Sequence, residues 1–319
     1  ALIARLASRA DIALENFAPG TMERLNCGYD RLGAANPRLV YCALKGFLSG
    51  PYEQRPALDE VVQFMGGLAY MTGPPGQPLR AGTSVVDLMG GAFAVIAILA
   101  ALRERDRTGR GQYVKSALFE SAAFMMAQHM AGEALTGEPM PPMPARRGGW
   151  GIYQTFPTKD GGSIFVGVTS NNHWRRFCET FARPDLLADS RLDTNEKRVA
   201  AHDWLIPTVT AELAGYDKAE IAAKCEAVQI PFAPVARVGD LFTDPQLVAG
   251  GGLLDVTLPG GVRTRLPALP IEMDGRRTGV RADPPEIGAS SRAVLAEAGF
   301  NPAEVAALVA DGTVRVGGA

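Results

Sequence analysis

Six consecutive residues, Leu39-Val40-Tyr41-Cys42-Ala43-Leu44, carry no charge and show no alternation of polar with apolar side chains. A strand with one face in water alternates, so this run predicts a strand covered on both faces, as in a parallel sheet. Parallel neighbours need crossovers of a dozen residues or more, usually helical. The flanking sequence provides them. Ile12 to Leu14 reads as a short strand, and Asn16-Phe17-Ala18-Pro19-Gly20 as a turn. A helix follows from Thr21, with Thr21 as N-cap, Glu23 in the first turn and Gly28 as the stop. After the strand come a helix from Leu58 to Met71 with Gly66-Gly67 inside it, and a long helix from Ser84 to Arg105. Tyr113 to Leu118 reads as a further strand and Glu120 to Leu135 as a helix. The alternation is that of a nucleotide-binding type of α/β sheet.

The apolar run Leu88 to Leu102 within the long helix spans 15 positions, short for a membrane crossing, so a buried core helix is expected. It exits through Arg103 to Gly111, which reads as a solvated turn. Prolines at 139, 141, 142 and 144 then mark a linker, and a second domain begins after Gly148-Gly149. It opens with a hairpin, Gly151 to Phe156 and Ser163 to Val168, around Lys159-Asp160-Gly161-Gly162. Helices to Val228 follow, then strands at Phe232 to Val238, Gly252 to Leu258 and Arg263 to Leu266. Two short helices, Ser291 to Glu297 and Pro302 to Ala310, close the chain.

Composition removes several classes of function. With 47% hydrophobic and 21% charged residues the chain reads as an ordinary globular enzyme. The 32 basic and 34 acidic side chains leave a net charge of -2, which gives no field for nucleic acid or a membrane surface. Cys27, Cys42, Cys178 and Cys225 form no C-x-x-C pair, and His129, His173 and His202 are equally scattered, so no metal site is expected. Free thiols, and a start that mixes Arg5, Arg9 and Asp11 with apolar residues, fit a reducing cytoplasm.

Three features invite chemistry. Asp87 is an acid in the otherwise apolar helix start Ser84-Val85-Val86-Asp87-Leu88-Met89-Gly90-Gly91. A helix N-terminus favours a negative charge, and a desolvated but ionised carboxylate is a usable nucleophile. On the residues alone a second role stays open: Asp87 caps its helix, as Ser84 does beside it. The turn at Asn16 to Gly20 is the second feature, and the segment Arg146-Arg147-Gly148-Gly149-Trp150-Gly151 the third. Each also has a plain structural reading, as a helix entry and as a flexible junction. Arg24, Lys45 and Arg55 are basic groups that could meet phosphates, or ordinary surface charges.

Ala10 to Gly28, ADIALENFAPGTMERLNCG, resembles the E-N-F-x-P-G-x-M/L-x-R-L-G segment of the family III CoA-transferases, the CaiB–BaiF family that includes formyl-CoA transferase and carnitine CoA-transferase. Asn36-Pro37-Arg38-Leu39-Val40-Tyr41 with Gly46-Phe47 matches its next segment. Asp87, with Leu99 to Arg105 and Thr108-Gly109-Arg110-Gly111-Gln112, matches its most telling stretch; Ile230 to Val235 and Asp244-Pro245 fit near the end. The resemblance implies an α/β fold: a Rossmann-like large domain built from both chain ends, residues 1–120 and 280–319, and a smaller central α+β domain, 146–239, joined by linkers at 121–145 and 240–279. It implies an interlocked-ring homodimer. It places Asn16, Phe17, Ala18 and Arg24 where the family binds the nucleotide part of CoA, Asp87 on the catalytic aspartate, and Gly148 and Gly149 in the glycine loop over the reacting thioester. The substrates implied are an acyl-CoA and a small carboxylic acid, with no tightly bound cofactor.

Two departures stand beside the match. The family's opening strand and helix are expected upstream of Ala1, and its L-G-E-H motif reads Ile287-Gly288-Ala289-Ser290 here. Two alternatives follow: a 2-methylacyl-CoA racemase-like enzyme, and a truncated inactive homologue that only dimerises. The racemases use a histidine in a G-H-D segment; Pro56-Ala57-Leu58-Asp59 stands there, with Leu58 in the histidine's place.

Overall fold

The computed structural model describes residues 2–145 and 148–317. The chain divides into two units, one of residues 1–146 with 286–319, the other of 147–285.

The first unit is built on three parallel strands, β1 (Ile12–Glu15), β2 (Val40–Lys45) and β3 (Tyr113–Ala117), in the order β1-β2-β3. β2 is the middle strand, and its first four residues are buried, which accounts for the uncharged run. Helices α1 (Leu2–Ala7), α2 (Thr21–Arg24) and α3 (Tyr29–Ala35) come before β2; α4 (Asp59–Met65), α5 (Leu68–Thr72) and the long α6 (Val85–Thr108) lead on to β3. α7 (Leu118–Met125) and α8 (Ala127–Thr136) come next.

Several expected boundaries move, each for a local reason. Gly20, in the left-handed region at φ 73°, precedes α2, so Thr21 is the first helical residue and not the cap. Gly28 starts α3 instead of stopping α2. The predicted helix from Leu58 to Met71 breaks in two because Gly67 takes φ 81°. The expected linker 121–145 is helical as far as Thr136, and 240–279 holds a helix and two antiparallel two-stranded pairs.

The exit of α6 is not simply solvated. Arg105 is buried, and Nη1 donates to the carbonyls of Asp11 (3.4 Å) and Arg38 (3.2 Å) and lies 3.0 Å from the Asp11 carboxylate, tying the helix end to both strand starts. Gly109 closes α6 at φ 76°. A Cβ on Gly111 would lie 2.1 Å from the Leu39 carbonyl oxygen, so the loop passes β2 too closely for any side chain.

Nor is α6 buried all round. Val86, Gly90, Ala94, Ala101 and Arg105 form the buried stripe, mostly small residues that let the helix approach the sheet. On another side Leu88, Val95, Ile96 and Leu99 are 67%, 55%, 60% and 61% exposed. By length and composition alone α6 is also apolar enough to cross a membrane.

The second unit has its own core. β4 (Ile152–Pro157) and β5 (Ser163–Val168) form the expected antiparallel hairpin, and β6 (Phe232–Pro234) joins β5. β6 is shorter than expected and ends at Pro234, although the next residue, Val235, still donates its N–H to the Ser163 carbonyl at 3.0 Å. Phe156, Ile164, Phe177, Leu205, Leu213 and Ile221 fill the space between this sheet and its helices. Cys178 and Cys225 lie in that core, where burial pushes their thiols up to about 12 and about 11, so neither is a nucleophile near neutrality.

Candidate active site

A cavity of about 510 Å³ opens at the carboxyl ends of the three strands. Ligands of parallel α/β sheets bind at this edge, because each strand ends there and its loop is free to vary. Asn16, Phe17 and Ala18 follow β1, Lys45 and Gly46 end β2, and Leu118 follows β3. Arg55, Leu58 and Asp59 line another wall, and Asp87 completes it. Three of the four proposed nucleotide-side residues therefore share one cavity with Asp87. Arg24 is not among the lining residues; its guanidinium donates to Thr21 Oγ1 at 2.9 Å.

The turn after β1 is held by an ion pair inside the unit. Lys45 Nζ lies 2.6 Å from Glu15 Oε1, with both side chains largely buried. Nζ also donates to the Phe17 carbonyl (2.9 Å), and the Phe17 N–H donates to Glu15 Oε2 (2.9 Å). Lys45 is thus committed to shaping the turn, while the Arg55 guanidinium rests 4.0 Å over the Tyr52 ring.

Asp87 is the third residue of α6 and is exposed. Ser84 makes no side-chain cap; another helix caps α6 instead. Asp59, the buried first residue of α4, accepts at Oδ2 from the Val86 N–H (2.9 Å) and the Asp87 N–H (3.2 Å). The Val85 N–H goes to the Thr83 carbonyl (2.8 Å) and the Leu88 N–H to the Ser84 carbonyl (3.1 Å). The Val85, Val86 and Asp87 amides, which have no partner within the helix, are therefore satisfied, and the Leu88 N–H makes the first intrahelical bond. Gln63 donates to the other Asp59 oxygen and accepts from the Ala81 N–H at 2.8 Å. Partial desolvation, then the negative charges of Asp59 and Glu60, raise the Asp87 carboxyl above its ordinary 3.8.

Sequence reasoning passed over Asp59, Gln63 and Glu15. The available signal was a polar pair at i,i+4, Asp59 and Gln63, on the same helix turn as the apolar Val62.

Gly148 and Gly149 belong to the second unit; Arg146 and Arg147 before them lie outside the described residues. Gly149 does not take a positive φ, and a Cβ on it would meet nothing within 4 Å. The Gly149 carbonyl accepts from Asn195 Nδ2 at 2.7 Å.

A parallel α/β sheet with a carboxylate at the lip of its carboxyl-end cavity defines an enzyme-type site. Residues 1–291 match CoA-transferase family III, and the chain belongs to that family, whose members transfer CoA. It is 31% identical to the succinate–glutarate CoA-transferase of Agrobacterium fabrum, over 93% of this chain and 74% of that one. It is 32% identical to the acetyl-CoA:oxalate CoA-transferase of Acetobacter aceti, over 86% and 70%. A CAIB/BAIF family protein from Brucella suis has a crystal structure of the same mixed α/β fold, with TM-score 0.82, 30% identity and coverage of 93% and 78%.

Proposed function

We propose that this protein moves CoA from an acyl-CoA to a small carboxylic acid by covalent catalysis at Asp87. The observation that carries this reading is the position of Asp87, at the start of α6 in the cavity formed by the Asn16–Ala18 turn and the strand ends. An Asp87 oxygen attacks the thioester carbon; the C–S bond breaks, giving an aspartyl–acyl anhydride and CoA thiolate. The thiolate attacks the Asp87 carbonyl, releasing the donor acid and leaving an aspartyl-CoA thioester. The acceptor carboxylate attacks that thioester and again frees the thiolate. The thiolate then takes the acceptor acyl group from the new anhydride, which restores Asp87. Asn16, Phe17 and Ala18, with Arg24, serve the nucleotide end of CoA. Gly148 and Gly149 supply N–H groups to the developing oxyanions.

CoA enters and leaves as substrate, with no tightly bound cofactor in the scheme. The acceptor class is a short dicarboxylic acid, supported by the relatives named for succinate, glutarate and oxalate. Purified protein given succinyl-CoA and a panel of dicarboxylic acids should form the exchanged acyl-CoA; absence of exchange with every acid would count against the reading.

Racemisation needs a base to remove an α-proton. Leu58 lines the cavity, and none of the lining residues is a histidine. Deuterium from solvent is therefore expected not to enter the α-position of a 2-methylacyl-CoA at an enzymatic rate. Rapid exchange, read by mass spectrometry, would overturn the preference for transfer.

The assembly proposed is an interlocked homodimer. Leu88, Val95, Ile96 and Leu99 on α6, with Phe124 and Met130, are exposed large apolar side chains of the kind a second copy would cover. Linked rings should bury far more than the roughly 1,600 Å² of a standard interface. Sedimentation at micromolar concentration should show a dimer, and a stable folded monomer would rule it out.

A further inference from the structure

We infer that Asp59 is the positioning residue of the nucleophile: through its buried carboxylate it fixes the backbone of Asp87 and presents the carboxylate of that residue to the cavity. The inference rests on the reading of Asp87 as nucleophile and adds a second acid to the same site.

Asp59 differs from an ordinary helix cap in three respects. It comes from a different helix, 28 residues before Asp87, so it fixes the position of α6 relative to α4 as well as closing a turn. It binds the amide of Asp87 itself and the amide before it, at 3.2 and 2.9 Å. It is held in turn by Gln63, which is anchored to the Ala81 N–H on the loop leading into α6. This is a two-layer support around one carboxylate, the arrangement that keeps a reacting group within its productive geometry.

Asp59 also sets the charge around Asp87. Of the ionisable groups on the elements surrounding it, Lys45 is paired with Glu15 and Glu60 with Arg80 at 3.3 Å. Glu120 accepts from the Leu48 N–H, and Arg55 lies over the Tyr52 ring. Among the described residues no cation pairs with Asp59. Desolvation first, and then the charges of Asp59 and Glu60, raise the affinity of the Asp87 carboxylate for a proton, an effect that also makes a carboxylate a better nucleophile, and the Asp59 share depends on its buried position beside the Asp87 amide.

The test uses the whole protein and three variants, Asp59→Asn, Asp59→Ala and Asp87→Asn, with kcat, KM and the pH profile measured for each. Asp59→Asn removes the charge and keeps an acceptor for the two amides. Its acid limb in kcat/KM is expected to move to lower pH, with kcat reduced less than in Asp59→Ala. Asp59→Ala releases both amides and is expected to lose on the order of 10²-fold in kcat, with KM for the acyl-CoA within about threefold. If Asp59→Ala does not fold, the pH limb of Asp59→Asn decides. An unmoved limb in Asp59→Asn overturns the inference, because a purely structural cap has no effect on that pH. An inert Asp87→Asn beside Asp59 variants of wild-type behaviour overturns the inference alone. Wild-type transfer by Asp87→Asn overturns the nucleophile reading, and the inference with it.

Discussion

Replacing Asp87 by Asn is expected to reduce CoA transfer by on the order of 10⁴-fold or more while the fold survives. Asn has nearly the same size but no ionised oxygen, so neither the anhydride nor the aspartyl thioester can form. The fold has little to lose: Asp87 is exposed, and its backbone N–H, which Asp59 accepts, is unchanged by the substitution. A residue that merely capped α6 would give the opposite pattern, about 1 kcal/mol of stability lost and chemistry intact. Wild-type protein incubated with acyl-CoA and hydroxylamine should carry a hydroxamate at Asp87, visible as a mass shift on its peptide. The pH dependence has a definite sign. Asp87 must be ionised to attack, and its carboxyl is raised above 3.8, so the rate should fall as pH drops through a value above the ordinary carboxylate one. An Asp87→Asn protein transferring CoA at the wild-type rate would sink this reading.

The sheet was legible in the sequence because burial on both faces leaves a plain mark: Val40 to Ala43 are buried, and the run around them is uncharged. The caps were less legible. Thr21 and Ser84 have the right chemistry for N-caps, yet Gly20 takes the first position by its φ and Asp59 supplies the second from another helix. Local propensity describes what a residue offers its neighbours in sequence, and Asp59 acts on partners 27 and 28 residues away. The same limit explains α6. Its apolar run was read as burial, but the chain covers only the stripe from Val86 to Arg105 and leaves Ile96 and Leu99 exposed. Periodicity shows that a surface requires cover without showing what covers it. The reaction itself entered through the resemblance, since no spacing pattern separates a nucleophilic aspartate from a capping one.

Replacing Lys45 by Met is expected to destabilise the protein by about 3–5 kcal/mol, the cost of breaking a buried ion pair from one side. Glu15, 7% exposed, would lose the ammonium 2.6 Å away and be left, among the described residues, with the Phe17 N–H as its donor. Lys45 retains some access to water, so the lower end of that range is the better figure. The double variant Glu15→Gln, Lys45→Met removes the stranded charge and should recover much of the loss, as neutral replacements of buried pairs commonly do. Denaturant melts measure both effects: the single variant shifts the midpoint with an unchanged slope, and the double variant shifts it less. Function should respond in a characteristic way, because the pair shapes Asn16 to Ala18 and does not touch Asp87. In the double variant, KM for the acyl-CoA is expected to rise more than kcat falls. A Lys45→Met protein that melts within about 1 kcal/mol of wild type would place this pair with surface ion pairs, and the Asn16 turn would then owe its shape to something else.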